Sequence, residues 1–133
     1  KAGDKADWES VRRIIAESNR IDPDAAEPLM LFYESFLRQG RQPTANAVKG
    51  LLYAQSLVPQ DSSLRILATQ QLLRDGKLAE ARALFGVIAY DPHAGKSREK
   101  RLKVMDAIAA GKGEEALQLL RMADDEEQKG DKA

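Results

Sequence analysis

The residues of this chain that could do chemistry are few and poorly grouped. Its single histidine, His93, follows Asp91 and Pro92. An imidazole beside a carboxylate can act as a general base or contribute to a metal site. Zinc and its relatives, however, commonly need two or more His or Cys ligands at helical or loop spacing, and this chain has one His, no Cys and no HExxH-type motif. His93 therefore reads as a solvated turn residue. Gly111 and Gly113 flank Lys112 without the rest of a phosphate loop and read as turn punctuation. Carboxylates gather at Asp22 and Asp24, at Glu114 and Glu115, and from Asp124 to Glu127. The first two groups suit the positive ends of helix dipoles, and none has calcium-loop spacing. No serine stands in a recognisable nucleophile context. The expectation is a protein with no catalytic residues, no metal and no cofactor.

Charge gives little more. Lys plus Arg and Asp plus Glu are both 21, so no global field draws the chain to nucleic acid or an anionic membrane. One local excess stands out: Lys96, Arg98, Lys100, Arg101 and Lys103, opposed only by Glu99. Cations near a helix start are mildly unfavourable. The cluster reads as a solvated face, or as a contact for an acidic partner or for the acidic stretch Asp124 to Glu127. It lacks the interleaved aromatics of a nucleic-acid site. No apolar run approaches the roughly 18 residues of a membrane span, so no membrane insertion is expected. A soluble chain without cysteine fits the cytoplasm and the periplasm or exterior equally. The polar start, at Lys1 rather than Met, suggests a fragment of a longer protein.

Residues without chemistry of their own must then be read as architecture. With 43% hydrophobic and 5% aromatic residues, the core is built from Leu, Ile, Val and Ala, which suits closely approaching helices. Punctuation divides the chain into seven of them. Asp7 can cap a first, to Arg20, with Trp8, Val11, Ile14 and Ile15 on one face. Asp24 and Glu27 have capping-box spacing for a second, carrying Leu29, Phe32, Tyr33 and Phe36 to Gly40. Pro43 suits the first turn of a third, through Leu51 and Ala54 to Pro59. Asp61 can cap a fourth, ending at Gly76; Leu78 to Ile88 make a fifth; Ser97 can cap a sixth, ending at Gly111; Glu114 to Met122 make a seventh. Residues 1–123 read as one helical domain and 124–133 as a charged flexible tail.

The helices repeat. Ala47, Leu51, Ala54 and Pro59 recur as Ala81, Phe85, Ile88 and Pro92, and as Ala116, Leu120 and Ala123 without the proline. Val11, Ile15, Ser18 and Pro23 form a half copy. The period of about 35 residues is that of a helical-hairpin solenoid. Neighbouring helices approach to about 8–10 Å only where small residues sit at the crossing, the place expected for Ala47, Ala81 and Ala116.

This pattern resembles the tetratricopeptide repeat family, over roughly residues 8 to 123. Its first-helix positions match less well: Leu29, Phe32, Tyr33 and Phe36 stand for the family's Trp, Leu, Gly and Tyr, and Arg65 stands at the Trp position of the next repeat. The resemblance implies an all-α fold of antiparallel hairpins stacked as a right-handed superhelix. It also implies a protein-interaction module that holds a peptide or helical segment in its concave groove. Carried over by position, the groove is lined by Met30, Glu34, Leu37 and Arg38, then Ile66, Gln70, Leu73 and Arg74, then Arg101, Met105 and Ile108. Met30 and Glu34 replace the Lys and Asn that grip terminal carboxylates in some members, so that clamp is not expected. The arginines suit a partner with acidic and apolar residues.

The half repeat raises an alternative. If its helix is the second of a hairpin whose first helix is absent, then Trp8, Val11, Ile14 and Ile15 have an outer face that an upstream domain of a parent protein could cover. If not, they simply face the second helix. The Tyr90-Asp91-Pro92-His93 region is similar to repeat tails of secreted bacterial peptidases, which implies a structural appendage; no activity is carried over.

Overall fold

The computed structural model describes residues 7–121. The expected tail at 124–133 and its acidic stretch lie outside them, as do Met122 and Ala123 of the third repeat copy. Among the described residues there are seven helices and no strand: α1 (Trp8–Ile21), α2 (Ala26–Gln39), α3 (Ala45–Leu57), α4 (Ser62–Arg74), α5 (Leu78–Ala89), α6 (Ser97–Ala109) and α7, which is described over 113–121. The all-helical expectation holds. The chain divides into two compact units, Lys1–Leu64 and Arg65–Ala133.

Local chemistry explains most of the boundaries. Asp7 caps α1, accepting from the Ser10 backbone N–H at 3.1 Å and from its hydroxyl at 2.6 Å. Asp61 likewise accepts from the Leu64 N–H at 3.1 Å. Three hairpins turn on the same device. Gly40, Gly76 and Gly111 sit in the left-handed region at φ 78°, 74° and 77°. Each follows a helix whose last carbonyls are satisfied in one pattern, Arg41 N–H to Phe36, Lys77 N–H to Leu72 and Lys112 N–H to Ala107, all at 2.9 Å. Glycine is required there because a Cβ is strained at positive φ.

Other expected caps are corrected. Asp24 does not close a capping box: the residue before α2 is Ala25, without a side-chain cap, and Asp24 instead accepts a hydrogen bond from Tyr53 Oη at 2.6 Å. Pro43 lies before α3 and not in its first turn: Thr44 caps the helix, its hydroxyl accepting from Ala47 N–H at 3.1 Å, and Ala45 begins it. Ser97 is the first residue of α6 and not its cap; Lys96 precedes it with no side-chain cap. A tight turn through Asp91, Ala94 and Gly95 leads the chain directly into that helix.

The core of the second unit is continuous. Leu72 and Leu73 of α4, Phe85, Ile88 and Ala89 of α5, Val104, Met105 and Ile108 of α6, and Ala116 and Leu120 of α7 are buried together. Ala81 belongs to the same cluster and has no exposed surface. Burial of each large side chain contributes roughly 1.5–3 kcal/mol. Arg65 also lies inside, where the repeat pattern would have a Trp. Its guanidinium donates to the Leu84 carbonyl at 3.0 Å, so the cation crosses from α4 to α5 and satisfies a backbone acceptor.

The first unit is built differently. Tyr33 and Phe36 of α2 pack with Ala47, Leu51 and Ala54 of α3, all buried. Against this pair lies α1, none of whose residues is buried. Trp8, Arg12, Ile15 and Asn19 are half-buried at helical spacing and form one face. Arg12 ties that face to α2: its guanidinium donates to Ser35 Oγ at 3.3 Å and to Gln39 Oε1 at 2.8 Å, and lies 4.2 Å from the Phe36 ring centroid. Val11, Ile14 and Ile21 fall on another side of α1 and are 38%, 70% and 72% exposed.

Candidate functional site in the first unit

The spacing of half-buried residues on α1 leaves its polar lower end beside an opening. A pocket of about 400 Å³ is enclosed by Ile15, Ala16 and Asn19 of α1, Pro28, Leu29 and Phe32 of α2, and Asn46, Lys49, Gly50 and Tyr53 of α3. Its volume falls in the range of small-ligand and anchor-residue sites, and its lining is mostly apolar with a few polar groups, as such sites require.

Gly50, on the pocket lining, lets α3 pass close to the Leu29 side chain of α2. A Cβ there would lie 3.3 Å from Leu29 Cδ2, a tight contact. Glycine inside a helix costs about 1 kcal/mol relative to alanine, so the sequence gives up helix stability where α3 and Leu29 approach closely. Pro28 is accommodated in the first turn of α2, where a missing N–H leaves no intrahelical bond unmade.

The polar groups are not equivalent. Asn19 Oδ1 is buried and has no hydrogen-bond partner. Tyr53 Oη donates to Asp24, and that carboxylate holds the phenol above its ordinary pKa by favouring the protonated form. Asn46 and Lys49 are exposed at the rim, and no ion pair to Lys49 is found among the described residues. The recess is therefore mostly apolar, with exposed Asn46 and Lys49 and the Asp24-bound Tyr53 on its lining, while the unpartnered Asn19 oxygen is shut off from solvent.

No protein-family model, curated protein or solved structure matches this chain.

The residues expected to line a groove are placed unevenly. Met30, Glu34 and Leu37 are half-buried and Arg38 is exposed on α2. None of the four lines the pocket. In the second unit Ile66, Arg74 and Arg101 are half-buried, whereas Gln70, Leu73, Met105 and Ile108 are buried. Leu73, Met105 and Ile108 belong to the core cluster and cannot serve as open lining, because the helical face assigned to a ligand is the one that packs within the unit. Arg101 donates to the Ile88 carbonyl at 3.2 Å, a bond from α6 to the end of α5.

Of the α1 residues expected to meet an upstream domain, Trp8 and Ile15 are half-buried while Val11 and Ile14 are exposed. His93 is exposed, its backbone N–H donating to Asp91 Oδ1 at 2.9 Å. In the basic cluster Lys96, Arg98, Lys100 and Lys103 are exposed and Arg101 half-buried. Among the described residues no group of His, Cys, Asp or Glu could hold a metal ion, and no helix is long and apolar enough to cross a membrane.

Sequence reasoning overlooked Arg12, Asn19, Lys49 and Tyr53, and of the pocket lining singled out Ile15 alone as a contact residue. One signal pointed there: Gly50, a glycine in the middle of an otherwise good helix, marks a close approach or an intended space.

Proposed function

We propose that this chain is a protein-interaction module of the tetratricopeptide-repeat kind, and that it receives a segment of a partner protein on the face made by α1, α2 and α3. The observation that carries this reading is the pocket of about 400 Å³ that these three helices leave open. Protein interiors are close-packed, and an apolar recess with a few polar groups is the usual form of a binding site. The repeat assignment is supported by the three glycine turns with one hydrogen-bond pattern and by the burial of Ala47, Ala81 and Ala116 at equivalent places. Stacking of the hairpins as a right-handed superhelix is part of the proposal. The binding face differs from the concave groove that the family resemblance implies, since four of the groove positions are buried.

Photocrosslinking amino acids placed at Asn46 and Lys49 test the reading, with exposed Val87 of the second unit as the control position. The expected result is one protein adduct from both first-unit positions and none from Val87. That protein, once purified, should bind the chain at least tenfold more weakly after Lys49→Glu. Equal adducts from all three positions, or none, would overturn the reading.

A second reading is favoured by a specific observation, the 70% exposure of Ile14 between exposed Val11 and Ile21. Here the outer side of α1 docks a neighbouring helix or an upstream domain of the same protein, as a structural repeat tail would. Ile14→Glu then abolishes the association while Lys49→Glu leaves it intact.

A further inference from the structure

The start of α6, in the second unit, concentrates positive charge, and its reading is independent of the recess of the first. Lys96, Arg98, Lys100 and Lys103 are exposed there, and half-buried Arg101 donates to the Ile88 carbonyl. The described carboxylates offset these cations unevenly. Asp106 and Glu115 share a recess with Lys103 and Lys112, so the signs are matched at that level. Lys96, Arg98 and Lys100 have only Glu99 between them, and Asp91 of the preceding turn accepts from the His93 N–H. The positive end of the α6 dipole adds to the excess.

The course of α7 brings a counter-charge to the same place. Gly111 turns the chain back, with the Lys112 N–H bonded to the Ala107 carbonyl, and Ala116 and Leu120 are buried with Val104 and Ile108. Lys103 and Leu119 line one recess, so α7 heads from that level toward the start of α6. Lys100 and Lys96 lie about 5 and 10 Å further in this direction, at 1.5 Å per residue. Asp124 follows Leu119 by five residues and Glu127 by eight. That length of chain covers about 7–12 Å at helical rise and more when extended. The carboxylates of Asp124, Asp125, Glu126 and Glu127 are therefore tethered within reach of the excess cations.

We propose that the basic surface at the start of α6 is a docking surface for an acidic segment, and that its occupant is the chain's own Asp124–Glu127. A single exposed ion pair contributes little, but several charges acting together contribute more, and the tether raises their effective concentration. An acidic segment of a partner protein meets the same chemistry and must displace the tethered one. Self-occupancy thus keeps the surface from stray acidic ligands.

The test attaches a nitroxide at Gln128→Cys in the full chain, which has no other cysteine, and reads paramagnetic broadening by amide NMR. Broadening is expected at 96–103. Because the tether alone produces some, its dependence on charge decides. It should fall by about twofold or more in about 1 M salt, where the screening length is about 3 Å. The same fall is expected when Asp124→Asn, Asp125→Asn, Glu126→Gln and Glu127→Gln are combined, with the amides of α5 unmoved as the check on folding. Equal broadening in all three samples would overturn the proposal. So would broadening that passes undiminished from a nitroxide-bearing chain to a second, isotope-labelled chain, which would place the contact between copies. As an independent arm, N-acetyl-Asp-Asp-Glu-Glu-amide should shift 96–103 of the neutralised variant at concentrations about threefold lower than in the unsubstituted chain. Equal affinity would show that the surface is not self-occupied, and binding to neither would show that it is not a docking surface for acidic segments.

Discussion

The two units are built from the same kind of helix and hold them by different means. In the second, four helices share one buried cluster centred on Phe85 and Val104, and the charged group taken inside, Arg65, is spent on a backbone carbonyl of its own unit. In the first, α2 and α3 form a buried hairpin, while α1 contributes no buried residue and is held by half-buried Trp8 and Ile15 and by the polar reach of Arg12. The same region contains the open pocket, the unpartnered Asn19 oxygen and the exposed Ile14. The second unit has a recess of about 290 Å³ lined largely by charged side chains, among them Lys103, Asp106, Lys112 and Glu115. The first unit, with its lightly held outer helix, has a more apolar recess, which is where binding is sought.

The largest predicted effect lies in the second unit. Phe85→Ala removes a fully buried ring from the continuous cluster and should cost about 3–5 kcal/mol in chemical denaturation. Trp8→Ala, at a half-buried position on α1, should cost distinctly less. Equal losses would erase the contrast. Ala81→Leu comes next, overpacking a position with no exposed surface at about 1–3 kcal/mol; an unchanged melting temperature would show that the small residue is not at a crossing.

Arg12→Met keeps the aliphatic stem and removes two hydrogen bonds and the contact with the Phe36 ring. It should cost about 1–2 kcal/mol, read as faster amide exchange in α1 with the second unit unchanged. A smaller effect is expected from pH. Hydrogen bonds from Ser10 hold the Asp7 carboxyl below its ordinary pKa. The cap therefore contributes at and above the ordinary carboxylate range and is lost as pH falls through the depressed value. Fraying of the first turn of α1 on acidification should be reduced in Asp7→Asn, which retains a capping oxygen without titrating. Smallest of all is Ile14→Glu, within about 0.5 kcal/mol of the parent because the side chain already faces solvent. A large loss there would mean that α1 is packed through its other side.

These contrasts also mark what was legible in the sequence. Gly40, Gly76 and Gly111 were readable as helix ends because a left-handed residue leaves a local chemical signature. Ala47 and Ala81 were readable because a small residue recurring at one place among bulky ones is what a close helix crossing demands. The caps of α2 and α6 were misplaced where a competing partner or turn took the residue's place, as Tyr53 takes Asp24 across 29 positions of sequence. The groove assignment failed at Leu73, Met105 and Ile108 because repeat position does not distinguish the face packed within a unit from the face left open. The pocket was almost invisible for a related reason: Asn19, Leu29 and Lys49 have no shared spacing, and only the packing of three helices brings them together.

Native-state hydrogen exchange of the full chain, resolved residue by residue, tests the inequality of the units most directly. The expected pattern is weakest protection in α1, above all toward its last turn, and strongest protection around Phe85 in α5 and Val104 in α6. Protection of α1 equal to that of α5 and α6 would contradict the account, because a helix held as firmly as the core could not be the lightly held wall of an open site.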